Sequence, residues 1–430
     1  MRRKAWTRAG IIGMSLVALT ACSKDVHNNE ALPNVVDQKA DLVVFDVGAA
    51  GDDIFNAAWG DEIRKKFPNY TIKYIKRDTK ENSLTNILTA GGQIDIILSS
   101  IGLFPSYVIQ PVDIQMDMTD LVQKHNLDLS KFEPESINPI KSLGGLYGIP
   151  YNYSQLALFY NKDIFDKFGV SYLKDGSTWD DILNKAKQLS REENGQSYVG
   201  FSYSSFHFNR LLSLSLPFIN ENNKFAMNTD DWKRFYEKEI ISPLKGLSEA
   251  DIKNTLTGDQ TGLFINKRNI AMYVFLDGMR DSLAKSDVNW DMVSLPVFPE
   301  KPGIGSQLYP GYAAIAKTSK YPDQAMEVIK FMTSDEQQIR MAQKGSVSVL
   351  TSKAVKDAFL QDTPYKDKNV KNALFFNKPA PSPKLSLYDQ QALDAITKRI
   401  PDMISGKIDT NTAFRDAEEE ANKKIESLKK

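Results

Sequence analysis

The chain has one cysteine and three histidines in 430 residues. A single thiol allows no internal disulfide, so a folded body must hold together by apolar burial. His27 and His125 fall in polar stretches, so histidine-based catalysis would have to rest on His207 alone. An excess of charge is also missing: 54 Lys and Arg oppose 54 Asp and Glu, which argues against a nucleic-acid surface or a basic membrane-binding face. Beyond residue 20 no apolar run approaches the ~18 residues of a membrane span. There is no Gly-Lys-Ser/Thr phosphate loop, no Gly-x-Ser-x-Gly elbow and no His-Glu-x-x-His. No repeat period or low-complexity tract appears. These absences predict a protein with no cofactor, no resident metal and no nucleic-acid partner.

What is present starts at the N-terminus. Arg2, Arg3, Lys4 and Arg8 precede the apolar run Ile11 to Thr20, which leads through Leu19-Thr20-Ala21 into Cys22. The pattern resembles a bacterial lipobox, in which the cysteine is acylated through sulfur and becomes the new N-terminus. An ordinary signal peptide or a short anchor is the alternative. On the lipobox reading, residues 1–21 are a lipoprotein signal peptide, Cys22 carries the lipid, and 22–40 form a polar tether. The 17 residues Ser23 to Lys39, as a flexible coil, would reach roughly 20–25 Å. Loss of the basic leader leaves a mildly acidic mature chain long enough for two domains. The protein is expected at the cell membrane, lipid-anchored on the extracytoplasmic face.

Folded structure is expected from Asp41 to Val47, a β-branched and aromatic run closed by Gly48 and Gly51. A helix follows with Phe55, Ala58, Trp59, Ile63 and Phe67 on one face, then a strand at Thr71 to Ile75, a helix near Leu84 to Leu88 and a strand at Ile94 to Leu98. That alternation predicts a parallel sheet, with ligands outside the carboxyl ends of its strands. Glycine and proline punctuation at 144–152, 295–305 and 379–383 suggests three crossings between two α/β lobes. Thr178 to Asp181 has the shape of a capping box. Asp323 to Gln343 reads as one helix, and the C-terminus as another with Phe414, Ala417, Ala421, Ile425 and Leu428 on its stripe. Asp409, Asn411 and Glu420 match three positions of a calcium loop. Phe414 stands where that loop needs glycine, so the segment is read as a helix start. A glycosidase leaves no short motif, because its two carboxylates come from distant segments.

Leu146-Tyr147-Gly148-Ile149-Pro150 followed by Phe159-Tyr160-Asn161-Lys162-Asp163-Ile164-Phe165 resembles a signature of the family 1 extracellular solute-binding proteins. These are the capture components of ABC importers, the group that includes maltose-binding protein. Thr178-Trp179-Asp180-Asp181-Ile182-Leu183 and Phe264-Ile265-Asn266-Lys267 with Ile270-Ala271-Met272 are similar to further family motifs, with Asn266 where glycine is usual. The likeness runs in order from about residue 41 to 428.

The resemblance implies an α/β protein of the type II periplasmic-binding-protein fold, two lobes closing on a cleft by a hinge. It divides the chain into an N-terminal lobe of 41–152 and 313–377 and a C-terminal lobe of 153–312 and 378–430. It implies a monomer that is not an enzyme, whose partners are a small solute (a sugar or oligosaccharide) and ABC permease subunits. The cleft residues it suggests are Asp46 and Gly48 after the first strand, Ser99 and Ser100 after the third, and Asn152 and Tyr153 at the first crossing. Phe206, His207, Tyr309, Tyr312 and Tyr388, with Asp389 beside it, complete the aromatic and polar set. Asp277 stands where many members have glycine followed by tryptophan, and is expected to accept sugar hydroxyls. The alternative for Asp277 is a cap on the following helix through Arg280 and Asp281. A secreted glycan hydrolase, or a sensory protein on the same fold, remains open.

Overall fold

The computed structural model describes residues 35–78, 81–257 and 260–429. The expected signal peptide, Cys22 and most of the expected tether lie outside these residues. Thirteen strands occur among them: β1 (Ala40–Asp46), β2 (Tyr70–Lys76), β3 (Ile96–Ser100), β4 (Ile149–Ser154), β5 (Leu156–Asn161), β6 (Arg191–Glu193), β7 (Gln196–Tyr198), β8 (Ser202–Tyr203), β9 (Met272–Leu276), β10 (Trp290–Ser294), β11 (Ile304–Gln307), β12 (Tyr309–Ile315) and β13 (Lys378–Ala380).

The first lobe is built on a five-stranded sheet in the order β2-β1-β3-β12-β4. β1 runs parallel to both β2 and β3, with Val44 opposite Tyr74 and Ile96, as alternating strands and helices require. β12 joins antiparallel to β3 and to β4, so the sheet is mixed. The second lobe holds the sheet β10-β5-β9-β8. Every residue of β5 is buried, which a strand lying between antiparallel β10 and β9 and covered on both faces demands.

Local sequence accounts for several elements. Thr178 accepts from the backbone of Asp181 while Asp181 reaches back to Thr178, a complete capping box on the helix Trp179–Leu189. Trp179, Ile182, Ala186 and Leu189 then face the core. Asp409 caps the helix Thr410–Leu428 by accepting from the Thr412 N–H at 3.0 Å, and no metal-holding cluster of His, Cys, Asp or Glu occurs among the described residues. The helix expected over 323–343 is two helices, Pro322–Met332 and Asp335–Gln343. Thr333 bonds back to the Ile329 carbonyl at 3.0 Å and Ser334 caps the second helix; such hydroxyls compete with the helical ladder. His125 has its ring nitrogens 2.7 Å from Asp323 Oδ1 and 2.7 Å from Glu327 Oε1. It fastens the end of the helix Thr119–Lys124 to the helix Pro322–Met332.

The chain passes between the sheets three times. Gln155 separates β4 from β5, and Leu308 separates β11 from β12. These two crossings run side by side, Ser154 opposite Tyr309, with the Leu156 N–H donating to Ser306 Oγ at 3.1 Å. The third crossing comes earlier than the proline-rich run at 379–383 suggests. Asn369 already bonds Asp291 and Asp175 at 3.1 and 2.9 Å, and the helix Val370–Phe375 packs on β10. Residues 370–377 therefore sit with the second lobe, because Val370, Ala373 and Leu374 need the cover of β10. Of the prolines themselves, Pro379 lies within β13, which pairs with β11, and Pro381 and Pro383 follow it.

Candidate functional site between the two sheets

The carboxyl end of β3 delivers Ser100, whose hydroxyl donates to the Tyr309 phenol oxygen at 2.9 Å. Tyr309 opens β12, so this bond joins the central strand to the second crossing. A Cβ at Gly102 would stand 2.5 Å from that same phenol oxygen, and only glycine allows so close an approach. From the other lobe comes the helix Ser205–Arg210. Its residue Phe208 is fully buried against Trp179 and Tyr203. Phe206, two positions earlier, is 36% exposed. Helical spacing cannot place both in one environment.

His207 lies edge-on to Phe206, Phe275 and Tyr309, with ring centroids 5.0–5.4 Å apart. Burial, helped by the Arg210 charge, pushes its pKa down to about 4, so it is neutral at pH 7. Its Nδ1 lies 2.8 Å from Ser204 Oγ, and both groups are turned into the first turn of the helix.

Between the lobes lies a narrow pocket, partly open to solvent. Ile101, Gly102, Pro105, Ser106 and Pro139 form its wall on the first lobe; Arg210, Leu211, Phe218, Asp389 and Gln390 form the other. Tyr309 and the segment around Leu385 close the ends. That segment is tied to the first lobe, Gln110 donating to the Leu387 carbonyl at 2.8 Å and the Leu385 N–H to Ser142 Oγ at 3.2 Å. An apolar lining with a few convergent polar groups is the composition of a small-molecule site.

Its charged groups come from the second lobe. The Arg210 guanidinium stacks 4.5 Å over the Phe206 ring and donates through Nη2 to Gln390 Oε1. Its Nε–H is buried and has no partner. Asp389 accepts the Ser386 N–H at 2.9 Å, and burial pushes its carboxyl up to about 7 against the opposing pull of Ser386 and Arg210. Arg210 and Asp389 line one pocket without forming an ion pair.

Of the residues expected from sequence, Tyr309 lines this pocket, Ser100 and Phe206 contact its lining, and His207 packs behind it. Others are placed elsewhere. Tyr312 is fully buried and its hydroxyl donates to the Ser136 carbonyl at 2.7 Å, so it belongs to the first lobe's core. Ser99 is buried, on the face of β3 opposite Ser100. The Asp46 carboxylate accepts from the Gly48 and Ala50 N–H groups at 2.7 and 3.1 Å and from Tyr74 at 2.8 Å, and so builds its own loop. Asn152 lies against Gly311, while Tyr153 lines a separate groove with Glu133 and Phe375. Tyr388 lines a neighbouring open groove with Ser142 and Pro217.

Asp277 corrects the expectation most directly. It is 1% exposed and ion-paired with Arg280, and it accepts the Gln155 N–H at 3.0 Å. Arg280 also donates to the Gly345 carbonyl. The carboxylate is spent on the first crossing and the following helical turn. Sequence reasoning passed over Arg210 and Gln390, which are 180 residues apart and carry no shared motif.

Residues 48–339 match the profile of the bacterial extracellular solute-binding proteins, about two thirds of the chain. An arabinooligosaccharide-binding protein of Halalkalibacterium halodurans is 25% identical over 206 residues, 46% of this chain and 44% of that protein; the match thus spans under half of that relative's length. An sn-glycerol-3-phosphate-binding periplasmic protein of Brucella melitensis is 24% identical over 306 residues, 66% of this chain and 68% of its own. Among solved structures, a Listeria monocytogenes ABC substrate-binding protein in complex with cycloalternan superposes with a TM-score of 0.72 at 19% identity, covering 90% of this chain and 100% of that one. A cyclic alpha-maltosyl-1,6-maltose binding protein from Arthrobacter globiformis gives 0.70 at 16% identity, covering 90% and 100%. These likenesses show the two-lobed fold.

Proposed function

The chain belongs to the bacterial extracellular solute-binding protein family, and from that premise we propose that it is the capture component of an ABC importer, taking a sugar or oligosaccharide between its lobes and handing it to a permease. The observation that carries this reading is the pocket walled by both lobes, where the Tyr309 ring lies beside Arg210, Asp389 and Gln390, with Phe206 stacked on Arg210. Sugars suit such a wall, because a pyranose has an apolar face and a wet rim. Closure of the lobes would bury both at once.

The relatives whose names print a sugar or a sugar-derived solute support the same class. His207 and Ser204 bond to each other, and neither lines the pocket. A thermal-shift screen over glycans tests this: a bound solute at 100 times its Kd adds about 2.7 kcal/mol to stability. Stabilisation by sugars with no turnover of the bound glycan is expected. Stabilisation by peptides or metal ions and by no sugar would overturn it, and release of cleaved product would replace it with a hydrolase.

Anchoring is part of the proposal. No helix among the described residues is long and apolar enough to cross a membrane, and Cys22 after its apolar run is the residue to carry lipid. Stable attachment takes two acyl chains, so Cys22→Ala should leave the protein in the soluble fraction or unprocessed. Membrane fractionation unchanged from wild type would remove the lipid anchor from this reading.

A further inference from the structure

Arg210 is the one permanent cation on the pocket wall, and its surroundings leave it incompletely matched. Gln390 gives it a single neutral acceptor. The orientation of that amide is fixed from behind, because Gln390 Nε2 donates to Asp394 Oδ1 and so turns Oε1 toward the guanidinium. Phe206 holds the guanidinium plane from one side at 4.5 Å. The Nε–H is buried and unpartnered. Asp389 shares the pocket but forms no ion pair with it, its oxygen engaged by the Ser386 N–H. A partly buried guanidinium without a paired carboxylate is costly to keep, and this one lines the pocket where a solute would lie.

We propose that the solute is anionic: a sugar unit bearing a carboxylate or a phosphate, whose negative group pairs with Arg210. A guanidinium pairs its charge and planar donors with the oxygens of either group. A neutral hydroxyl would accept one bond and leave the charge unmatched. Asp389, its carboxyl pushed up to about 7 by burial, carries less negative charge there than an ordinary carboxylate. Tyr309 on the facing wall then meets the uncharged remainder of the ring. This inference rests on the solute-capture reading above.

Matched probes test it on the whole protein by titration calorimetry at pH 7: oligouronates against their carboxyl-reduced counterparts, and sugar phosphates against the parent sugars. Within a pair that binds, the charged member should bind roughly 10- to 100-fold more tightly, and the pair that does so tells carboxylate from phosphate. Arg210→Gln should erase that preference, and Arg210→Lys should keep part of it. The melting temperature of the ligand-free R210Q protein should hold or rise, since a buried unmatched charge has been removed. Equal binding of charged and neutral members would overturn the inference while solute capture stands. Binding of no sugar of either kind would overturn both. A lower melting temperature in R210Q with the preference intact would make Arg210 a structural residue and also overturn it.

Discussion

Asp277 and Asp389 are two aspartates in nearly the same position, with opposite outcomes. Each starts a helical segment, each has an arginine nearby, and they are 1% and 7% exposed. Asp277 is fully engaged, with Arg280 on one oxygen and the Gln155 N–H on the other. Asp389 shares a pocket wall with Arg210 without pairing with it, and burial raises its pKa to about 7. Burial alone therefore says little about role. A carboxylate whose bonds are all made inside the protein is part of the frame, and one left partly unmatched beside a cavity is available to something else.

The largest expected effect would break this contrast at its paired end. Asp277→Asn leaves Arg280 buried and uncompensated, which should cost about 3–5 kcal/mol of stability in urea denaturation while solute affinity stays within twofold. A tenfold loss of affinity with stability intact would return Asp277 to the binding site.

The unpaired end should show in the pH dependence of stability. With its pKa raised from 3.8 to about 7, Asp389 keeps a proton in the native state that the unfolded chain has already lost. Stability should therefore be fully present below about pH 4 and fall as pH rises through 7, by ~2–4 kcal/mol. Asp389→Asn should flatten that slope. Glu239, also in the second lobe and pushed to about 8 by burial, should contribute a parallel fall from about pH 4.5 to 8 that Glu239→Gln removes. A wild-type profile flat from pH 4 to 8 would mean that both carboxylates are matched after all.

His125 sharpens the comparison from the first lobe, where its ring is buried and both nitrogens meet carboxylates. Asp323 and Glu327 remain about a quarter exposed, so His125→Gln should cost only about 1–2 kcal/mol, read by thermal unfolding. The smallest effect belongs to Phe206. Being 36% exposed, Phe206→Ala should leave ligand-free stability within about 0.5 kcal/mol, yet lose about 1 kcal/mol of solute binding as Arg210 loses its stacking partner. A stability loss as large as that expected for a core phenylalanine would show that the ring packs inward.

Much of the fold was legible because it is written locally. The runs at Asp41 to Val47 and Leu156 to Tyr160 carry their burial in composition, and the Thr178 capping box lies within four residues. The break at Thr333-Ser334 was overlooked because apolar periodicity continues across it while the hydroxyls cap. The site was legible only where one strand end or one helix held it, as at Ser100 and Phe206. Tyr312 was misplaced because strand alternation turns a residue three positions after Tyr309 to the far face. Arg210 and Gln390 meet only in three dimensions, and nothing in either neighbourhood marks the other.

The three crossings have a consequence for how the protein would fail under proteolysis. A cut in any one of them leaves the lobes joined through the other two, one of which runs beside its neighbour as a paired ribbon at Ser154 and Tyr309. The severed halves would stay at millimolar effective concentration with respect to each other, as in any short intramolecular linkage. A nicked molecule should thus co-elute as one particle and still present both walls of its pocket. Parting the lobes would require cuts in all three crossings, so proteolytic damage would accumulate before it separates them.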